Sequence, residues 1–338
     1  MLFLSSRRAI LSRGFFCAGL SVFSSLAHAQ QLSPTPQIVR PEAFAPTLEE
    51  NAPTLLPPEM GSALPTRLSA PRMVARALPR IGISPPPDDF YQTPETLDPW
   101  LLSLSDARPR DVKTRILGRT TGGRRIVALE IAPSGVSPWK LRRLVVLCRQ
   151  HGNEPEASAS GARFIREFLE SKDPKKRRIA AKTALLIVPV ANPDGAAYYR
   201  RRTDRNIDMN RDWGGQKSGE VRVLARWAAA WKPHLVVDVH QWLPDHNQPP
   251  PMAEASGGKL ARQTAQRMAL NNRQRGYWLA ARSRWGLDTL CHRYFGQRFK
   301  IPAILLETRH RPHVAGAREV AIGTSLTALW SAAETVAK

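Results

Sequence analysis

Leu144-Val145-Val146-Leu147-Cys148-Arg149-Gln150-His151-Gly152-Asn153-Glu154-Pro155 is the stretch on which the fold turns. Its first five residues form an unbroken apolar run. A run without polar alternation belongs to a strand covered on both faces. Polar residues follow at once, and Pro155 stands where a helix begins, because proline's missing N–H costs nothing in the first turn. A buried strand therefore passes through a short polar turn into a helix. Residues 184–190 and 235–239 are further near-continuous apolar runs, and residues 303–306 read as another strand. Helices are expected at about 155–169, 220–231, 259–274 and 318–336. Alternation of strand and helix predicts an α/β fold, a three-layer α/β/α domain with a central mixed, mostly parallel sheet. Ahead of it, residues 112–117 and 126–131 flank Gly122-Gly123 as a hairpin, and Thr93-Pro94-Glu95 opens a short helix. In such a sheet, ligands gather at the carboxyl ends of the central strands.

The chain has 338 residues, 42% hydrophobic and 23% charged, which excludes a wholly disordered, collagen-like or coiled-coil protein. A net charge of +22 invites a nucleic-acid reading. No basic motif interleaved with aromatics accompanies that charge, so no specific nucleic-acid partner is expected. Lys175-Lys176-Arg177-Arg178 reads as a solvated loop after a helix, with contact to anionic polymers as the alternative. The charge and the prolines are unevenly spread. Residues 1–29 carry Ser6-Arg7-Arg8, an apolar stretch from about Phe15 to Leu26, and Ala27-His28-Ala29. That order is a bacterial secretory signal, twin-arginine-like or general, and predicts a periplasmic or secreted protein. About a dozen apolar residues fall short of the roughly 20 that span a bilayer, so no stable membrane span is expected. Cleavage after Ala29 removes Arg7, Arg8 and Arg13 and no acid, leaving +19. Residues 30–87 are Pro-rich and aperiodic, a linker or wrapping arm. The compact domain occupies 88–338. Cys148 and Cys291 remain in it, and Cys148 lies in a buried strand, so the two are expected to stay apart.

Three carboxyl ends carry unexpected polar groups. His151 and Glu154 stand three apart where strand turns to helix and can converge on one cation. His240 closes the run 235–239, either as a core histidine or as a further ligand. Two imidazoles and a carboxylate leave a fourth position for water, as a catalytic zinc site requires. Asp238, two residues before His240, shares its strand face and can orient it or pair with a base. Glu307 ends the strand at 303–306, and a buried acid there is either paired, for instance with Arg309, or used. Between them lie Asn192-Pro193-Asp194-Gly195, a turn signal, and Asp208-Met209-Asn210-Arg211, an amide beside a guanidinium that can grip a carboxylate.

The ordered set His-x-x-Glu, Asn-Pro-Asp-Gly, Asp-x-Asn-Arg, strand-terminal His and strand-terminal Glu resembles the zinc carboxypeptidase family, the carboxypeptidase A-like metallopeptidases, in a compact bacterial form. Gly118-Arg119-Thr120-Thr121-Gly122-Gly123-Arg124-Arg125-Ile126 looks like that family's first hairpin. The resemblance covers about residues 88–338. It implies one Zn²⁺ per chain held by His151, Glu154 and His240. It implies Glu307 as the catalytic glutamate and Asn210 and Arg211 as the groups that hold the substrate's terminal carboxylate. Arg201 falls where the arginine that polarises the scissile carbonyl is expected, with Arg202 and Arg205 close by. The family's tyrosine has no clear counterpart; Tyr277, Trp285 and Tyr294 lie in the relevant stretch. The implied activity is metallocarboxypeptidase hydrolysis of peptides with a free C-terminal carboxylate, cell-wall (murein) peptides included. Anionic wall polymers are further expected partners of the positive surface. His-Gly-Asn-Glu also resembles zinc-dependent N-acyl amino acid deacylases of the aspartoacylase and succinylglutamate desuccinylase group. An inactive basic wall-binding homologue is the third reading.

Overall fold

The computed structural model describes residues 83–86, 92–242, 249–309 and 314–338. The proposed secretion signal lies outside them, as does the proposed arm except for its residues 83–86. Ile83 and Ser84 hold this segment to the domain. Ile83 is buried in the core, its N–H bonds Glu170 at 2.8 Å, and Trp100 Nε1 donates to the Ser84 carbonyl at 3.0 Å.

Helix α1 (Pro94–Ala107) leads into β1 (Val112–Arg119) and β2 (Arg125–Ile131). Gly123, at φ +81°, makes the expected turn between the strands. Then come β3 (Arg142–Cys148), α2 (Pro155–Glu170), α3 (Pro174–Ala180), β4 (Thr183–Val188) and the short α4 (Pro193–Ala197). Next are α5 (Gly219–Ala230), β5 (Leu235–Trp242), β6 (Met252–Ser256) and α6 (Lys259–Gln274). The chain ends with β7 (Ala280–Ser283), α7 (Cys291–Arg293), β8 (Ala303–Arg309) and α8 (Ala317–Val336). The eight strands form one sheet in the order β1-β2-β4-β3-β5-β8-β6-β7. The expected mixed, mostly parallel α/β sheet is therefore present: β4, β3, β5 and β8 run parallel, with antiparallel strands toward both edges.

Side-chain alternation divides the core. Leu144, Val146 and Cys148 of β3, with Val237 and Val239 of β5, pack against Phe164, Leu329 and Trp330. Val145 and Leu147, with Val236, pack against Trp213, Leu224 and Phe295 on the other face. His240 and Asp238 follow Val236 in the period of two, so they share that second face. After β4 the chain crosses to the far side of β3 to enter β5, and the strand order reverses between them. The crevice at that reversal is where an open α/β sheet places its ligands.

Two expectations need correction. Lys175–Arg178 is not a loop: it lies in α3, whose start is capped by Asp173, accepting from Lys175 N at 2.7 Å and Lys176 N at 3.2 Å. Strands β6 and β7 were not foreseen. Cys148 and Cys291 are both buried and free, as expected. Among the described residues, no helix is long and apolar enough to cross a membrane.

Asp98 of α1 gives a testable pH effect. Its burial, only partly offset by Arg125 3.6 Å away, pushes its carboxyl up to about 6 from 3.8. A raised folded value means the stability held below pH 3.8 is lost as pH rises through 6. Asp98→Asn is therefore expected to exceed the parent by about 2 kcal/mol at pH 7.5 and to match it near pH 3.5, as read from urea unfolding at both values.

Candidate metal centre and active site

His151 and Glu154 sit in the turn between β3 and α2, and the turn is held from several sides. Arg149, at φ +57°, is fully buried and donates to the Gly152 carbonyl at 3.0 Å, the Gln92 carbonyl at 2.8 Å and Ser158 Oγ at 3.2 Å. Gly152 is required by close approach, since a Cβ there would lie 1.9 Å from the Gly195 carbonyl carbon. The Asn-Pro-Asp-Gly turn is the partner in that contact. Asn192 caps Gly195 N at 2.9 Å and donates to the Gln150 carbonyl at 3.1 Å. Asp194, fully buried, accepts from Thr120 Oγ1 at 2.8 Å, Gly122 N at 2.9 Å and Arg124 Nη1 at 3.2 Å. The turn thus ties the β1–β2 hairpin to the loop that carries His151.

The three groups expected to bind metal do meet. Their ligand atoms lie within 4.8 Å of one another, and all three residues are buried. His151 Nδ1 is 2.6 Å from Glu154 Oε1, His240 Nδ1 is 2.9 Å from Glu154 Oε2, and the two Nδ1 atoms are 3.2 Å apart. Tetrahedral zinc with bonds of about 2.1 Å separates its ligand atoms by about 3.4 Å, so the cluster fits that ion with slight expansion. The far nitrogens support the same assignment. His151 Nε2 is 3.0 Å from Asp208 Oδ1 and His240 Nε2 is 3.0 Å from Asp238 Oδ2. Carboxylates there keep the protons on Nε2 and leave both Nδ1 lone pairs pointing inward. Burial alone would raise Glu154, but the two imidazoles outweigh it and hold the carboxyl well below its usual range. His240 is driven the other way: Asp238 and Glu154 overcome its burial and raise it well above the ordinary histidine value.

Glu307 is paired in register with His240 across β5 and β8. Burial, reinforced by Glu154 and Asp238, raises its carboxyl to about 8. Its Oε2 is buried and makes no hydrogen bond, so it is not consumed by Arg309, which donates instead to the Pro249 carbonyl at 3.0 Å. Of the three nearby arginines, the structure brings Arg201 to the cluster, with Nη1 3.7 Å from Glu154 Oε1 and Nη2 3.0 Å from Asp208 Oδ2. Arg202 instead closes an exposed turn by donating to the Asn206 carbonyl. Arg211 is exposed at the rim, its Nη1 on the Asn210 carbonyl at 2.8 Å. Asn210 is committed inward, accepting from Cys291 N at 2.9 Å, with its Nδ2 3.2 Å from His240 Nε2. Of these groups, His151, Glu154, Arg201, Asn210, Arg211 and Glu307 line one cavity of about 430 Å³, with Trp242, Glu254 and Arg293.

None of the three aromatic candidates lines that cavity. Tyr294 is buried on Trp213 with its hydroxyl accepting from Gln216 Nε2 at 2.7 Å, Tyr277 lies against Gly323 of α8, and Trp285 is exposed. Sequence reasoning also overlooked Asp208 as the partner of His151. Replacing it tests the tautomer argument: Asp208→Asn is expected to weaken zinc binding by about 10–100-fold with the fold intact, as read by competition with a chromogenic chelator.

Residues 97–252 match the family model described as zinc carboxypeptidase. The chain carries a zinc carboxypeptidase domain. Among curated relatives, the probable carboxypeptidase 2 of Trichophyton verrucosum (strain HKI 0517) is 29% identical over 92 residues, 27% of this chain and 18% of that protein. The match thus spans less than a fifth of the relative's length. Among solved structures, a metallo-carboxypeptidase from Burkholderia cenocepacia superposes with TM-score 0.59 at 18% identity, covering 70% of this chain and 67% of the other. Carboxypeptidase A from Helicoverpa armigera gives TM-score 0.60 at 16% identity, covering 74% and 75%. At those identities the superpositions establish a shared zinc carboxypeptidase fold.

Proposed function

We propose that the protein is an exported zinc metallocarboxypeptidase that removes the C-terminal residue of peptides, cell-wall peptides among them. The observation that carries this reading is the convergence of His151 Nδ1, Glu154 and His240 Nδ1 beside a buried, unbonded Glu307 carboxylate oxygen. These residues would hold one zinc ion, whose Lewis acidity polarises a carbonyl and acidifies a water molecule.

The chain's own groups supply the rest. Glu307, ionised beside the bound cation, takes the proton of the attacking water and returns it to the departing amine. Arg201, reaching past Glu154 into the cavity, meets the negative charge that develops on the scissile carbonyl oxygen. Arg211 at the rim grips the terminal carboxylate and so limits cleavage to the last bond. Asn210 supports that grip from beneath, through its carbonyl on Arg211. The leader at residues 1–29 argues for export, and in the periplasm the short peptides with free carboxyl ends are those of the wall. The excess of basic residues favours approach to acidic polymers there.

Mass spectrometry of products tests this reading. The purified zinc-loaded protein should release single residues from peptide C-termini and spare peptides with an amidated C-terminus. Hydrolysis of N-acyl amino acids with peptides untouched would establish the deacylase instead.

A further inference from the structure

The cavity is also lined by an ion pair that the reaction does not use. Glu254 of β6 pairs in register with Leu305 of β8, and Met252 with Glu307. Glu254 therefore shares the sheet face of Glu307, one strand over and about 7 Å further along. It is buried, and its Oε1 accepts from Arg293 Nη2 at 2.7 Å and lies 3.1 Å from His292 Nε2. Burial would raise the Glu254 carboxyl, yet the bonds from His292 and Arg293 hold it down at about 2. His292, itself buried, is lowered, so at neutral pH this part of the cavity carries one carboxylate and one guanidinium. The Arg293 guanidinium packs on Gly286, where a Cβ would lie 2.3 Å from its Nη1. Each partner nonetheless keeps bonding capacity. Among the described residues, both Glu254 contacts fall on Oε1, and Arg293 Nε is buried without a hydrogen bond.

We propose that this pair selects a C-terminal residue whose side chain ends in both an ammonium and a carboxylate, the chemistry of diaminopimelate. The proposal rests on the carboxypeptidase reading for which group enters the cavity: with Arg211 holding the terminal carboxylate at the rim and the scissile bond beside Glu307, the terminal side chain points toward Glu254 and Arg293. An apolar side chain would cover two charged groups and leave their open positions unsatisfied, at a desolvation cost. A lone ammonium would satisfy Glu254 but press against the Arg293 guanidinium. A lone carboxylate would satisfy Arg293 but face Glu254. A group bearing both charges pairs with each, and Arg293 binds carboxylate with the directionality of its planar fork.

The test compares four free amino acids of similar length, diaminopimelate, lysine, 2-aminopimelate and norleucine, by calorimetry on the zinc-loaded protein. Peptides ending in each are assayed in parallel for kcat/KM. Diaminopimelate should bind at least tenfold more tightly than each of the others. Glu254→Gln should remove its advantage over 2-aminopimelate, and Arg293→Met its advantage over lysine. A gain for the singly charged ligand in either variant also shows that the variant is folded. Equal binding of lysine and diaminopimelate, or tightest binding of norleucine, overturns the proposal. Peptide hydrolysis without a preference for diaminopimelate sinks this inference alone. Tightest binding of diaminopimelate with no hydrolysis of any peptide supports the pocket assignment and sinks the peptidase reading.

Discussion

Glu307→Gln is expected to lower kcat by about 10²–10⁴-fold on peptide substrates while zinc remains bound at one ion per chain. The substitution keeps the side chain's volume and its place opposite His240 in β8, and removes only the capacity to take a proton. The other carboxylates around the cluster are committed. Glu154 faces both imidazoles, Asp208 contacts His151 and Arg201, and Asp238 contacts His240 and accepts from Gln150 Nε2 at 2.6 Å. Glu307 Oε2 alone of these is buried with neither a hydrogen bond nor an ion-pair contact, which leaves it open to the attacking water. Because Glu307 does not grip the terminal carboxylate, KM should change little. Quantified product release and metal content on the same sample decide the matter: activity within threefold of the parent would remove Glu307 as the base.

The central sheet was legible because the chemistry sits where apolar runs stop. His151 and Glu307 each follow an unbroken apolar run, and His240 closes one broken only by Asp238, so the run fixes the strand and its end fixes the residue. The edge of the sheet was not legible. Met252-Ala253-Glu254-Ala255-Ser256 has no β-branched or aromatic residue and a charge at its centre, so local propensity gives no strand. It becomes one only by pairing with β8, a contact distant in sequence. Glu254 was invisible for the same reason, and with it part of the cavity lining. Asp208 was quoted within a motif, but its role depends on reaching His151 from 57 residues away, which no local pattern encodes. The α3 error was avoidable. Asp173-Pro174 is a capping residue followed by a first-turn proline, and that signal outweighs the charge run that suggested a loop. Asn210 shows the limit of carrying a motif across: its position matched, while its amide is turned inward to Cys291 N and His240.

His240→Ala should produce two separable losses. The first is metal: with one imidazole gone, zinc stoichiometry should fall from one per chain to near zero in buffer containing a competing chelator. The second is stability that does not depend on metal. His240 and Asp238 are both fully buried, 3.0 Å apart, and Glu154 approaches the same ring from the other side. Removing the ring leaves the Asp238 carboxylate buried without its cationic partner, and breaking such a buried pair costs about 3–5 kcal/mol. The Gln150 amide, still donating to Asp238 Oδ1, softens that cost without neutralising the charge. Urea unfolding of the chelator-treated variant against the chelator-treated parent isolates this part. Adding Asp238→Asn to His240→Ala removes the stranded charge, so the double variant should recover a large share of the lost stability and none of the metal binding. A double variant no more stable than His240→Ala would mean that the loss comes from the cavity left by the ring rather than from an uncompensated carboxylate.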